Sequence, residues 1–331
     1  MGNAFTTLVG IDVPIVQAAM GGATSPAFAA AVSNAGGLGT LALGWSPPDA
    51  GRAEIRATRS LTDRPFCVNL VLTQPQEERL AICLEEGAPV VSFFWGQAGP
   101  LTARARNAGA WVLHTASSAE QARRSVDDGA DVIVAQGWEA GGHVYGTVAT
   151  MALVPAVVDA VGPVPVLAAG GIADGRGLAA ALALGAAGAW IGTRFLGSAE
   201  AAIHPRYRER LIAAKETDTE YGTLFDVGWP DAPHRSLRSR TVEAWEAAGR
   251  PPTGQRPGED AVVGASPFGA VVAYQSHTPG IGDSGDIDAM ALWSGQGVGL
   301  LRRTQAAGDI VREIADEARG VLARLGTDPG F

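Results

Sequence analysis

Short apolar runs recur along this chain, each too brief for a helix and each separated from the next by a segment with helical periodicity. The runs are Pro14–Met20, Gly37–Leu43, Pro65–Leu72, Pro89–Trp95, Trp111–Thr115, Asp131–Ala135, Val164–Ala169 and Ala189–Thr193. Between them lie helix candidates such as Ser118–Gly129, which opens on a serine, carries a glutamate in its first turn and stops at a glycine. Strands that are apolar throughout are buried on both faces, and their alternation with helices predicts a parallel sheet of α/β type. Eight such units predict a closed (β/α)8 TIM barrel. The rival is an open doubly wound sheet, whose glycine fingerprint follows the first strand and opens a helix. Gly37-Leu-Gly39 resembles that fingerprint but runs into a strand.

Composition shifts after the eighth run. Residues 199–256 are rich in charge and aromatics, and Pro251, Pro252 and Pro257 mark irregular chain. The expected organisation is a barrel over residues 1–198 and a cap over 199–282 at the barrel mouth. A segment over 283–331 then returns to the barrel, with a helix from about Thr304 to Leu325. With 331 residues, 47% of them hydrophobic, the chain can bury a large core. Its formal charge is −9 and no Lys/Arg block interrupts it, so nucleic acid and anionic membranes are excluded as partners and a small-molecule substrate is expected. Cys67 and Cys83 are too few for a disulfide framework or a zinc cluster and are read as buried hydrophobes in a reducing, cytoplasmic setting. No basic residue precedes Arg52, unlike a secretory or transit peptide, and glycines interrupt the uncharged stretches before they reach a membrane-spanning length. A homodimer is the assembly considered.

A barrel of this kind works at the C-terminal ends of its strands. The residues there are Met20, Asn69, Trp95-Gly-Gln97, His114, Gln136 with the turn Gly137-Trp-Glu-Ala-Gly-Gly-His143, Gly170-Gly171 and Gly192-Thr193. Bare amides in the two glycine turns after strands 7 and 8, with a helix opening at Asp174-Gly-Arg176, predict a phosphate site. Lys215 is the only lysine and lies beyond the last strand, which argues against Schiff-base and pyridoxal chemistry. A flavin mononucleotide (FMN) makes no such demand. His204, His234 and His277 are spaced as no metal motif is, and no metal is expected. Gly282-Asp-Ser-Gly285 is read as a turn. Trp229, Trp245 and Trp293 either wall the substrate cavity or fill the core of the cap.

Gln136–His143, Ala168–Arg176 and Gly192-Thr-Arg-Phe195 together resemble the nitronate monooxygenase family, formerly called 2-nitropropane dioxygenases. Pro14–Met20, Asn69 within Val-Asn-Leu, and Trp293–Gly297 fit the same pattern, so the resemblance runs over almost the whole chain. It implies an FMN cofactor near Met20, Asn69, Gln136 and Gly141, with Gly170, Gly171, Trp190, Gly192, Thr193 and Gln296 around its phosphate. It implies oxidation of alkyl nitronates by O2 to a carbonyl compound and nitrite, with His143 as the catalytic residue. In that role His143 either takes the α-proton of a nitroalkane, with a pKa near the operating pH, or hydrogen-bonds the anionic nitro group. The glycines flanking His143 are expected to let the backbone approach the flavin and to leave the imidazole in a cleft. Tyr145, where many members have a shorter stretch, is expected near the site. The alternative is a sister activity, an NAD(P)H-dependent FMN reductase of the enoyl-acyl carrier protein or quinone type.

Overall fold

A computed structural model describes residues 3–327. All eight apolar runs are parallel strands. They are β1 Ile15–Gln17, β2 Gly39–Ala42, β3 Phe66–Val71, β4 Val90–Phe94, β5 Trp111–Ala116, β6 Val132–Gln136, β8 Val166–Ala169 and β9 Gly188–Ile191, with a two-residue strand β7 (Gly142–His143) outside the barrel. Their order is β1-β9-β8-β6-β5-β4-β3-β2. The ring closes where Val16 pairs with Leu38 and the Gln17 amide donates to the Leu38 carbonyl at 3.0 Å. The Gln17 side chain braces the seam by accepting from the Thr40 amide at 2.9 Å.

The barrel interior is filled by Val16, Leu38, Cys67, Val90, Leu113, Val132, Val134 and Leu167, with Trp190 packed against them. Its lower end is plugged by a helix that hydrophobic periodicity left unread, Ala4–Val9, whose Phe5 and Val9 join the same cluster. That helix is only six residues long; an Asn3 capping box and Gly10 in the left-handed region define its two ends. Burial pushes both cysteine thiols up to about 12, so both stay protonated and behave as small hydrophobes.

After β9 the chain makes one short helix, Thr193–Leu196, and leaves the barrel. It returns as the helix Ala307–Thr327, which packs on the helices Gly175–Ala183 and Pro26–Asn34 and so stands where the eighth barrel helix belongs. The intervening residues build two small antiparallel sheets. One joins β10 (Thr219–Gly222), β11 (His234–Leu237) and β7; the other joins β12 (Val262–Ser266), β13 (Gly269–Val272) and β14 (Ser284–Gly285). The Gly282–Gly285 stretch, expected as a turn, is a turn at its start, where the Asp283 amide donates to the Gly280 carbonyl at 3.1 Å, and then supplies the edge strand β14. Leu224, Phe225, Val242, Ala273, Tyr274 and Ala291 form a separate small core here, with Trp245 packed on it. Among the described residues no helix is long and apolar enough to cross a membrane.

Candidate active site

A cavity of about 630 Å³ opens at the C-terminal ends of the strands, within the size range of cofactor and substrate sites. Met20, Asn69, Gln136, Gly141, His143, Gly170, Gly171, Trp190, Gly192 and Thr193 all line it. Gln296 does not. It borders a second hollow of about 380 Å³ that shares Gly171 and Gly297 with the first. Gln296 is anchored by its backbone instead, its amide donating to the Glu139 carbonyl at 3.0 Å.

The turn from 136 to 146 is held from three sides. Gln136 donates to the His143 carbonyl at 3.2 Å. The Glu139 carboxylate accepts from the Thr150 amide and hydroxyl at 2.9 and 3.0 Å, and so caps the helix Thr150–Val161, whose own N-cap Ala149 has no side-chain acceptor. On the third side, β7 pairs with β11, placing His143 opposite His234, and Arg235 donates to the Trp138 carbonyl. The glycines serve this docking. A Cβ on Gly141 would sit 2.3 Å from the Gly295 amide nitrogen, and one on Gly137 would sit 2.0 Å from the Thr150 hydroxyl. The bare backbone is therefore in close contact with its own chain, and not kept bare only for a ligand.

His143 lines the cavity, but its imidazole is boxed in rather than free. Its imidazole stacks on Trp229 at 3.8 Å between ring centroids and meets Trp293 at 5.2 Å, His234 at 5.7 Å and Trp95 at 5.9 Å. Trp95 itself is held in the left-handed region, with φ 66, a strained conformation that persists only where packing enforces it. Burial in this aromatic box, with His234 alongside, drives the His143 pKa down to about 3. The expectation of a pKa near the operating pH therefore fails for a physical reason: the box cannot solvate a cation. His143 is neutral, and its Nε2 is buried with no hydrogen-bond partner. His234 is neutral too, held near 4 by burial, with Nε2 accepting from the Phe225 amide and Nδ1 meeting the Ala232 carbonyl.

The phosphate expectation changes in detail. The helix at Asp174 has no vacant amides to offer, because Glu317 accepts from Gly175 and Asp174 accepts from Arg176 and Gly177. What remains is the turn itself, with Gly170 at φ 109 and Gly171 at φ 72, which lines the cavity together with Gly192 and Thr193. The Thr193 hydroxyl is occupied by the Gly295 amide at 2.9 Å.

Other residues sort by packing. His114 points away from the cavity, its Nδ1 meeting Ser125 on the helix Ala119–Asp127. Tyr145 lies behind the wall, packed on Trp95 and Phe94 and donating to the Thr115 carbonyl. Trp229 and Trp293 wall the cavity, while Trp245 belongs to the cap core. Sequence reasoning missed Trp45, Phe268 and the whole segment Gln275–Thr278, which line the cavity from far along the chain. Among the described residues, no lysine, arginine, aspartate or glutamate lines it, and no cluster of three or more His, Cys, Asp or Glu could hold a metal ion.

Known proteins resemble this chain in sequence and fold. The chain is 36% identical to a nitronate monooxygenase of Pseudomonas aeruginosa, over 97% of this chain and 100% of that one. It is 40% identical to a (3aS,4S,5R,7aS)-5-hydroxy-7a-methyl-1-oxo-octahydro-1H-indene-4-carboxyl-CoA dehydrogenase of Mycobacterium tuberculosis, over 74% of this chain and 68% of the relative. Among solved structures, FabK from Thermotoga maritima superposes with a TM-score of 0.84 at 32% identity, covering 98% of this chain and 99% of that one. A nitroalkane oxidase from Streptomyces ansochromogenes gives 0.81 at 32% identity, covering 97% and 99%. The family profile for nitronate monooxygenase matches residues 3–79 and 72–317. With its barrel, its glycine turns and its boxed histidine, this chain belongs to the nitronate monooxygenase family of flavin-using oxidoreductases.

Proposed function

We propose that this chain binds FMN across the strand ends and oxidises small alkyl nitronates with O2 to a carbonyl compound and nitrite. The observation that carries the substrate assignment is the cavity wall, which is aromatic and glycine-rich and carries no lysine or arginine. Ligands with a pyrophosphate, such as a nicotinamide dinucleotide or a coenzyme A ester, are ordinarily gripped by such cations. A small monoanion is not so demanding.

The residues present suit FMN. The backbone of the Gly170-Gly171 turn, both residues at positive φ on the cavity lining, favours a phosphate, and the buried, unpartnered Oε1 of Gln136 is an acceptor for a ring N–H. Asn69, fixed by donating to Ser92 Oγ at 2.8 Å, and Met20 complete that wall. Bound FMN would supply the electron acceptance that no side chain here offers. His143 is neutral, so its ring can donate a hydrogen bond to the negative nitro oxygens without the cost of burying an imidazolium. Trp229 and Trp293, packed against that imidazole, exclude water around the contact, which strengthens it.

The second reading, a nicotinamide-dependent reductase, draws on the full-length likeness to FabK. One experiment separates them. Yellow, anaerobic protein is mixed in turn with propionate 3-nitronate, an alkyl nitronate, NADH and NADPH while the visible spectrum is followed. Bleaching by nitronate alone, with nitrite appearing when air is admitted, is expected. Bleaching by a nicotinamide alone, with nitronates inert, overturns the oxidase reading, and a colourless protein that takes up no FMN overturns both.

A further inference from the structure

The outer part of the cavity wall is left unused by that chemistry. From the boxed imidazole an aromatic line leads outward: His143 stacks on Trp229 at 3.8 Å, and Trp229 meets Trp45 at 5.6 Å between ring centroids. Trp45 is 50% exposed, and Phe268, which lines the same cavity, is 98% exposed. The wall therefore begins at a buried histidine and ends at rings open to solvent.

The turn that carries Phe268 is fixed. It joins β12 to β13, and in it Ser266 Oγ accepts from the Phe268 amide and donates to the Gly269 carbonyl, both at 3.2 Å. Pro267 packs on the neighbouring loop so closely that a Cβ on Gly282 would lie 2.8 Å from its Cγ. An apolar ring held in place and left uncovered beside a cavity is a surface that a ligand completes.

Charge narrows the choice of ligand. Among the described residues, no lysine, arginine, aspartate or glutamate lines the cavity. Of its two histidines, His143 is neutral, and His277 has its Nε2 2.6 Å from the buried carboxylate of Asp283. A carboxylate on the substrate's tail would lose hydration here, find no cationic side chain, and meet a negative charge behind the His277 ring. An alkyl tail gains by leaving water.

We propose that Trp229, Trp45 and Phe268 form a subsite for the apolar tail of the nitronate, so that this enzyme selects long alkyl nitronates over short or carboxylated ones. The proposal rests on the nitronate reading above. The nitro group stays at His143 and the chain runs outward along the rings. Each methylene fully taken out of water is worth about fourfold in affinity, and a wall that covers one side of the chain gives about two- to fourfold.

Two series of measurements on the FMN-loaded protein test this. The first is kcat/KM for the nitronates of nitroethane, 1-nitrobutane and 1-nitrohexane and for propionate 3-nitronate. The second is calorimetric titration with 1-butanol, 1-hexanol and 1-octanol, which carry the tail without the reacting group. Both series should climb by about two- to fourfold per methylene, with propionate 3-nitronate about tenfold or more below the nitronate of 1-nitrobutane. Phe268→Ser is expected to lose about tenfold on the longest member of each series and far less on the shortest. Because that ring is 98% exposed, the melting midpoint should stay in place. The proposal is overturned if kcat/KM and affinity are flat with chain length, if propionate 3-nitronate is preferred, or if Phe268→Ser keeps both wild-type gradients. A changed oligomeric state of Phe268→Ser in size-exclusion chromatography, with both gradients intact, overturns it in favour of a contact between copies of the chain. Alkanol binding that climbs with chain length and weakens in Phe268→Ser, with no nitronate oxidised, would instead overturn the oxidase reading and leave the tail subsite standing.

Discussion

Substituting Gly141 by alanine tests whether the turn bearing His143 is positioned by its contact with the segment 293–297. The added Cβ would lie 2.3 Å from the Gly295 nitrogen, 2.5 Å from the Ser294 carbonyl carbon and 2.9 Å from its Cα. All three are backbone atoms, so no side-chain rotation relieves the clash. Gly141 has no left-handed φ, which leaves overpacking as the whole perturbation, and overpacking costs typically about 1–3 kcal/mol. At about 2.1 cal/mol/K of unfolding entropy per residue, 331 residues correspond to about 0.7 kcal/mol/K, so the midpoint should fall by about 1.5–4 °C. Function should suffer more than stability, because Gly295 is tied to Thr193 and a shift of about 1 Å at a reacting group can cost about 10²-fold. The control is Gly222→Ala, where the new Cβ meets nothing within 4 Å. Differential scanning fluorimetry and nitronate oxidation are measured on both variants. A Gly141→Ala protein with wild-type midpoint and wild-type turnover would refute the idea that this backbone contact sets the site.

Three further outcomes are expected. His143 and His234 are held near 3 and 4 in the fold against about 6.5 when unfolded, so the unfolded state binds more protons and stability is lost as pH falls below about 6.5. Each imidazole costs about 2 kcal/mol at pH 5 relative to pH 8, so urea midpoints should drop over that range, and the drop should shrink in His143→Gln and in His234→Gln. Trp229→Ala opens the stacked face of His143, and NMR titration should show the imidazole pKa rising toward its ordinary value; an unmoved titration would mean that Trp229 contributes little to its desolvation. Glu139→Ala removes both acceptors at the start of the helix Thr150–Val161 and should cost about 1–2 kcal/mol in urea unfolding, a cap-sized loss.

The barrel was legible because its eight strands are buried on both faces, which makes each an apolar run with no alternation to decode. Strand-end residues were legible for the same reason: once a strand is located, its C-terminal neighbours face the mouth whatever their identity. That argument brought Met20, Asn69, Gln136 and the glycine turns to one cavity, and it misplaced His114, whose side chain alternates to the helix side. The six-residue plug helix was missed because it is too short to show a period and depends on Asn3 and Gly10 for its ends.

What the sequence determined, then, is whatever repeats or follows a strand: the sheet, its order of units, the glycine turns and the presence of a histidine among them. The chemistry of that histidine was decided only by the tertiary structure. Trp95, Trp229 and Trp293 come from positions far apart in the chain, and β7 pairs with β11 across some ninety intervening residues. A pKa follows from which groups surround an imidazole and how much water they exclude, and those neighbours are set by long-range packing, not by local spacing. His277 and Asp283 show the same division, since six positions of separation in an irregular segment predict no contact, yet the fold sets them 2.6 Å apart, with His277 on the cavity wall.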